Sequence, residues 1–149
     1  MIIKYELSGT GWATALIGEE GRLTNVTVSY LHDSLKELAE AAIKLKNGAP
    51  SATVIFMDEP GEHHLVIERV NDQDIVCELR WYDDWASWGM YPNDQYRPIY
   101  KAGSELYDFV KRVKEILEGI YQTMGIDGYK KKWIEHEFPM KELEILTAA

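Results

Sequence analysis

The sequence predicts an α+β fold: a single antiparallel sheet of six to seven strands, two long amphipathic helices packed on one face, and short C-terminal helical segments. Three observations predict it. Apolar residues alternate with a period of two in several short segments. Hairpin-length connections join most of them, which implies antiparallel pairing. Two longer segments each carry one apolar stripe at helical spacing. At 149 residues the chain is read as one α+β domain, 1–149, long enough to bury a sizeable core.

The elements follow in order. IIKYEL, GWATALIG and RLTNVTVSYL read as three strands, with GEEGR a turn between the last two. In the third, Thr24, Val26, Val28 and Tyr30 share a face, and the opposite face is mostly polar, so one side is solvated. HDSLKELAEAAIKLKNG is the first helix, with Leu35, Leu38, Ala39, Ala42 and Ile43 on one stripe. Ser34 with Glu37 makes a capping-box pattern, and Gly48 with Pro50 stops the helix. SATVIFMD is apolar on both faces and reads as a central strand; EHHLVIERV and DIVCELRWYD follow as a hairpin. YRPIYKA is an edge strand, because Pro98 cannot donate a ladder hydrogen bond. SELYDFVKRVKEILEGIYQTMG is the second long helix, with Ser104 as N-cap and Gly125 as stop. Gly119 inside it costs about 1 kcal/mol relative to Ala, which suggests close packing. IDGYKKKWIE and FPMKELEIL are short helical pieces.

Charge narrows the partners. The net charge is −9, and residues 58–94 carry most of it, with ten acids against two bases. Binding nucleic acid requires phosphate neutralisation, so that role is disfavoured. The balance suits a cationic partner or simple solubility. No apolar run has the roughly 18 residues of a membrane span. MIIKYELSG is strand-like and lacks a basic region followed by a long apolar stretch, so a cytoplasmic location is the expectation. Cys77 is the only cysteine, which rules out an internal disulfide. Alternation with Ile75, Leu79 and Trp81 makes it a buried, inert thiol and places Trp81 in the core.

Motifs that carry chemistry are few. His63 and His64 lie beside Glu62, but neighbours on a strand point to opposite faces and cannot chelate one ion. No G-x-S-x-G, G-x-x-x-x-G-K-[ST] or G-x-G-x-x-G stretch occurs. Asp83 and Asp84 could pair as general acid and base, but with no sugar or phosphate motif beside them a solvated strand end is the better account. No cofactor or metal is implied.

RWYDDWASWGMYPNDQYRPIY, residues 80–100, holds seven of the seventeen aromatics. Such a loop can be a satellite core that buries its own rings. It can also be a binding face, since Trp and Tyr are enriched at interface hot spots. The candidate binding residues are Asp83, Asp84, Trp85, Trp88, Tyr91, Asp94 and Tyr96.

VSYLHDSLKELAEAAIKL, RWYDD and YKKKWIEHEFPMKEL together resemble a family of small, acidic, uncharacterised bacterial proteins, similar in size and charge to the immunity proteins that neutralise polymorphic toxins. The resemblance carries structural motifs and no catalytic residues. It implies a protein-binding role. The expected function is therefore a cytoplasmic binding module for a basic protein, with an immunity-type inhibitor of a toxin domain as the case the resemblance implies. A small-ligand binder or enzyme, with a pocket lined by Trp85, Trp88 and Tyr91, is the alternative. Oligomeric state is not legible.

Overall fold

The computed structural model describes residues 1–148. Three strands, β1 (Ile2–Gly9), β2 (Trp12–Glu19) and β3 (Arg22–Ser29), lead into helix α1 (Ser34–Lys46). Then come β4 (Ser51–Met57), β5 (Glu62–Arg69), β6 (Asp74–Tyr82), a single 3-10 turn at Ala86–Trp88, and β7 (Arg97–Glu105). Helices α2 (Leu106–Lys132) and α3 (Met140–Thr147) close the chain.

The strands form two sheets, not one. β1-β2-β3 is a three-stranded antiparallel sheet, and β4-β5-β6-β7 a four-stranded one. This corrects the expectation of a single sheet of six to seven strands. The reason lies at Ser34 and Glu37. The Ser34 hydroxyl donates to the carbonyl of Ile55 at 2.6 Å, and the Ile55 N–H donates to Glu37 Oε1 at 2.5 Å. These are the backbone groups with which β4 would pair a further strand. β4, read from its two apolar faces as central, is thus an edge strand, and side chains from the start of α1 seal its open side. The capping-box residues serve the neighbouring strand: neither Asp33, at the N-cap, nor any other side chain caps α1.

One core joins the sheets and helices. Ile3, Tyr5, Ala15, Ile17, Val26 and Val28 enter it from the first sheet. Val54, Phe56, Leu65, Ile67, Cys77 and Leu79 enter from the second, and Leu35, Leu38, Phe109, Val113 and Leu117 from the helices. α1 packs on β4, whereas α2 touches β1 in one sheet and β7 in the other. β7 is an edge strand as Pro98 requires, but it runs on through Ser104, which pairs with Ile75 and caps nothing. Gly125 interrupts α2 at φ 70° and ψ 177°, and a second helical segment follows it.

Cys77 is fully buried, and burial pushes its thiol up to about 12. Labelling of the native protein near neutral pH by a thiol reagent is therefore expected to be as slow as unfolding, because the thiolate is the reactive form. Measuring the labelling rate at rising urea checks this; rapid labelling without denaturant would refute it.

Candidate functional site

The aromatic stretch folds back over one end of the four-stranded sheet, on the face away from the helices. On β5 and β6 the core face carries His63, Leu65, Ile67 and Ile75, Cys77, Leu79, Trp81 in alternation. The opposite face carries Glu62, His64 and Tyr82, and the loop covers them. Tyr82 is therefore a buried aromatic of this segment, at 2% exposure. Trp81 is only half-buried, which corrects its placement in the core. It lies at the strand end, where its ring meets His63 at 4.8 Å and its indole N–H donates to Asp83 Oδ1 at 2.8 Å. The ring also fills the space that a side chain at Gly61 would need.

Three ties fasten the loop. The first is at Glu62, whose side chain is fully buried. Its carboxylate accepts the Ser87 N–H at 3.0 Å, the Ser87 hydroxyl at 2.8 Å, and the Nε2 of His64. Burial alone would raise the Glu62 carboxyl; the hydrogen bonds from His64 and Ser87 outweigh it and hold the group below the ordinary carboxylate value. The second tie is the Tyr82 hydroxyl, which donates to the Asn93 carbonyl at 2.9 Å. The third is Trp85, whose indole N–H donates to the Asp58 carbonyl at 2.8 Å.

Around these ties the candidate residues divide. Trp85 is half-buried and meets Trp88 edge-on, with centroids 4.9 Å apart. Trp88 itself is 51% exposed, and Met90 is 56% exposed. Asp83 and Asp94 are exposed, and Asp84 is half-buried with its carboxylate on the Trp85 N–H at 2.8 Å. Tyr91 is half-buried. Tyr96 lies beneath the Arg80 guanidinium, 4.2 Å from its ring centroid, and is packed beside Tyr82. The base of the loop is thus a satellite core and its tip a surface.

Asp83, Trp85 and Trp88 therefore share one region, with Asp58 brought in from the β4–β5 turn. Asp84 is spent on local backbone, and Tyr96 faces Arg80. Glu62, Tyr82, Ser87 and Met90 belong to the same region and are not among the candidate binding residues; Glu62 enters the sequence reading only beside His63 and His64. An acid at the first position of an apolar strand was the one available signal for Glu62.

Chemically the cluster is a fastener. Ser87 and His64 both bond to Glu62 and not to each other, so no nucleophile–base pair exists there. His63 and His64 point to opposite faces, against Trp81 and Tyr82 respectively. Among the described residues no group of three or more His, Cys, Asp or Glu side chains is placed to hold a metal ion. Two large clefts occur elsewhere, one of about 600 Å³ between β1 and α2 and one of about 760 Å³ beside the start of α2. Trp85, Trp88 and Tyr91 line neither. No described helix is long and apolar enough to cross a membrane. Comparison with protein-family models, with curated proteins and with solved structures finds no match.

Proposed function

We propose that the protein is a binding module whose acidic aromatic loop meets a basic protein partner in the cytoplasm. One observation carries the reading: Trp88 and Met90 are held outward on a loop whose base is fastened at Glu62, Tyr82 and Trp85. An exposed aromatic on a rigid mount loses little entropy on binding, which is what a hot spot needs. Asp83 and Asp94 lie exposed on the same loop, and residues 58–94 carry ten acids against two bases, so a partner rich in Lys or Arg is favoured over nucleic acid. The similarity in size and charge to toxin-neutralising immunity proteins makes a basic toxin domain the first partner to test. The small-ligand reading is weaker, since the loop aromatics line neither large cleft.

Trp88→Ala is expected to cost only about 0.5–1.5 kcal/mol of stability, the worth of its edge-on contact with Trp85, well below a core truncation. It is expected to weaken binding to a basic toxin domain by about 1–2 kcal/mol or more. Calorimetric titration and urea unfolding of the same variant check both. A variant that binds as tightly as the parent, or one destabilised like a core mutant, would remove the binding-face reading.

A further inference from the structure

The outer edge of β1 takes no part in the site above. β1 pairs with β2 alone and ends its sheet. Among the described residues, no backbone group of Ile2–Gly9 bonds to anything beyond β2. Alternate N–H and C=O groups of such a strand point outward and can template another strand. Edges are ordinarily blunted by proline, a bulge, charged side chains or a covering helix; the Ile2–Leu7 stretch has no proline, its pairing is regular until Leu7, and its two exposed charges, Lys4 and Glu6, are of opposite sign. Beside this edge runs the cleft between β1 and α2. Its helix wall is mixed: Ile116, Met124 and the core residue Ile120 stand with the polar Arg112, Glu115 and Thr123, and Gly119 lies among them. A side chain at Gly119 would meet nothing within 4 Å, so the helix is bare there and not closely packed as its sequence suggested.

We propose that a second copy of the chain occupies this edge, with two β1 strands pairing antiparallel about a two-fold axis at Tyr5. The two three-stranded sheets then join into one of six strands, and the α2 helices approach the seam at the open space by Gly119. The strand is self-complementary in that register. With Tyr5 opposite Tyr5, Lys4 of each copy faces Glu6 of the other, and Ile3 faces Leu7. Lys4 and Glu6 are both exposed on the outer face, while Ile3 and Leu7 lie on the inner one, so each pair meets on its proper side. The neighbouring in-phase registers, centred on Lys4 or on Glu6, set like charges against each other, which destabilises a cross-strand pair. An isologous contact of this kind closes at two copies.

The test is sedimentation equilibrium of the full chain from micromolar to millimolar concentration. A monomer–dimer equilibrium is expected. Lys4→Glu and Glu6→Lys, made singly, each place two like-charged pairs in the seam and should weaken the dimer about ten-fold or more. The double variant re-pairs opposite charges and should restore the parental dimer. Gly119→Arg should fold as a monomer, because the side chain has space, and should block the dimer by filling the seam. Thermal unfolding followed by circular dichroism verifies that each variant folds. A chain that stays monomeric at every concentration overturns the proposal, and so does a monomer that pairs only with an extended peptide of another protein. A dimer that the single variants do not weaken, or the double does not restore, overturns it as well.

Discussion

Replacing Glu62 with Ala is expected to destabilise the protein by about 2–4 kcal/mol, the cost of removing a buried carboxylate that accepts several hydrogen bonds. The Glu62 carboxylate is fully buried and accepts three hydrogen bonds. Its loss leaves the ring nitrogen of buried His64 without its partner, which carries a desolvation penalty, and releases both bonds to the exposed Ser87 that hold the loop down. Ser87→Ala removes only the hydroxyl bond and keeps the backbone one, so it should cost about 1 kcal/mol. Urea unfolding gives both numbers, and proteolysis within residues 83–96 reports whether the loop has come free. The two other ties, at Tyr82 and Trp85, remain in either variant. A Glu62→Ala variant within about 0.5 kcal/mol of the parent would show that Glu62 does not fasten the loop. The same bond weakens in acid. Because the folded protein holds this carboxyl below its unfolded value, its contribution is present above that value and is lost as pH falls through the folded one.

Period and punctuation made the elements legible. Alternation marked the strands, and the apolar stripe with Gly48 marked α1 to within a residue or two. Their assembly was not legible, for a reason seen at Ser34 and Glu37. The pattern S-x-x-E reads as a local capping box, yet the side chains reach Ile55, about twenty residues away in sequence. Local spacing says that two polar groups can cap an exposed backbone; it does not say whose backbone. The split into two sheets follows from that choice. Gly125 shows the converse, since the break it signalled is real but the chain resumes a helix on the far side.

Half of the site was legible for a related reason. Alternation assigns Trp81 and Tyr82 to opposite faces of β6, and both assignments hold. Which face gains a cover at the strand end is decided by the loop that follows. That loop turns back over Glu62, His64 and Tyr82, so the residue placed off the core became the buried one. The exposed Trp88 fell where Gly89, Pro92 and Asn93 end regular structure, and there composition alone pointed to a surface.

Between pH 6.5 and about 4 the protein is expected to lose roughly 3 kcal/mol of stability through His63 alone. Burial, and then the nearby charges of Arg97 and His64, lower this imidazole from 6.5 to about 4. His63 is 9% exposed, its ring lies against Trp81, and its Nδ1 is buried without a hydrogen-bond partner. In that pH window the unfolded chain takes up a proton that the folded one refuses. Stability then falls by about 1.4 kcal/mol per pH unit, with the full contribution present above 6.5 and none left below the folded value. Other groups act in other windows or senses. Glu62 weakens the fold at still lower pH, where carboxyls titrate. His32 is raised despite burial, because Glu37 accepts its hydrogen bond, so its stabilisation is present below 6.5 and is lost as pH rises. Asp33 is raised by burial and works against the loss near its own range. Subtracting a variant separates them. His63→Leu keeps the apolar packing, removes the unpaired nitrogen and cannot titrate. At pH 7.5 it should be at least as stable as the parent. Urea unfolding of both proteins at half-unit steps from pH 7.5 to 4 should show the difference growing in favour of the variant, by about one proton's worth. Parallel curves for the two proteins would mean that His63 titrates normally, and that the strand end at Trp81 is open to water.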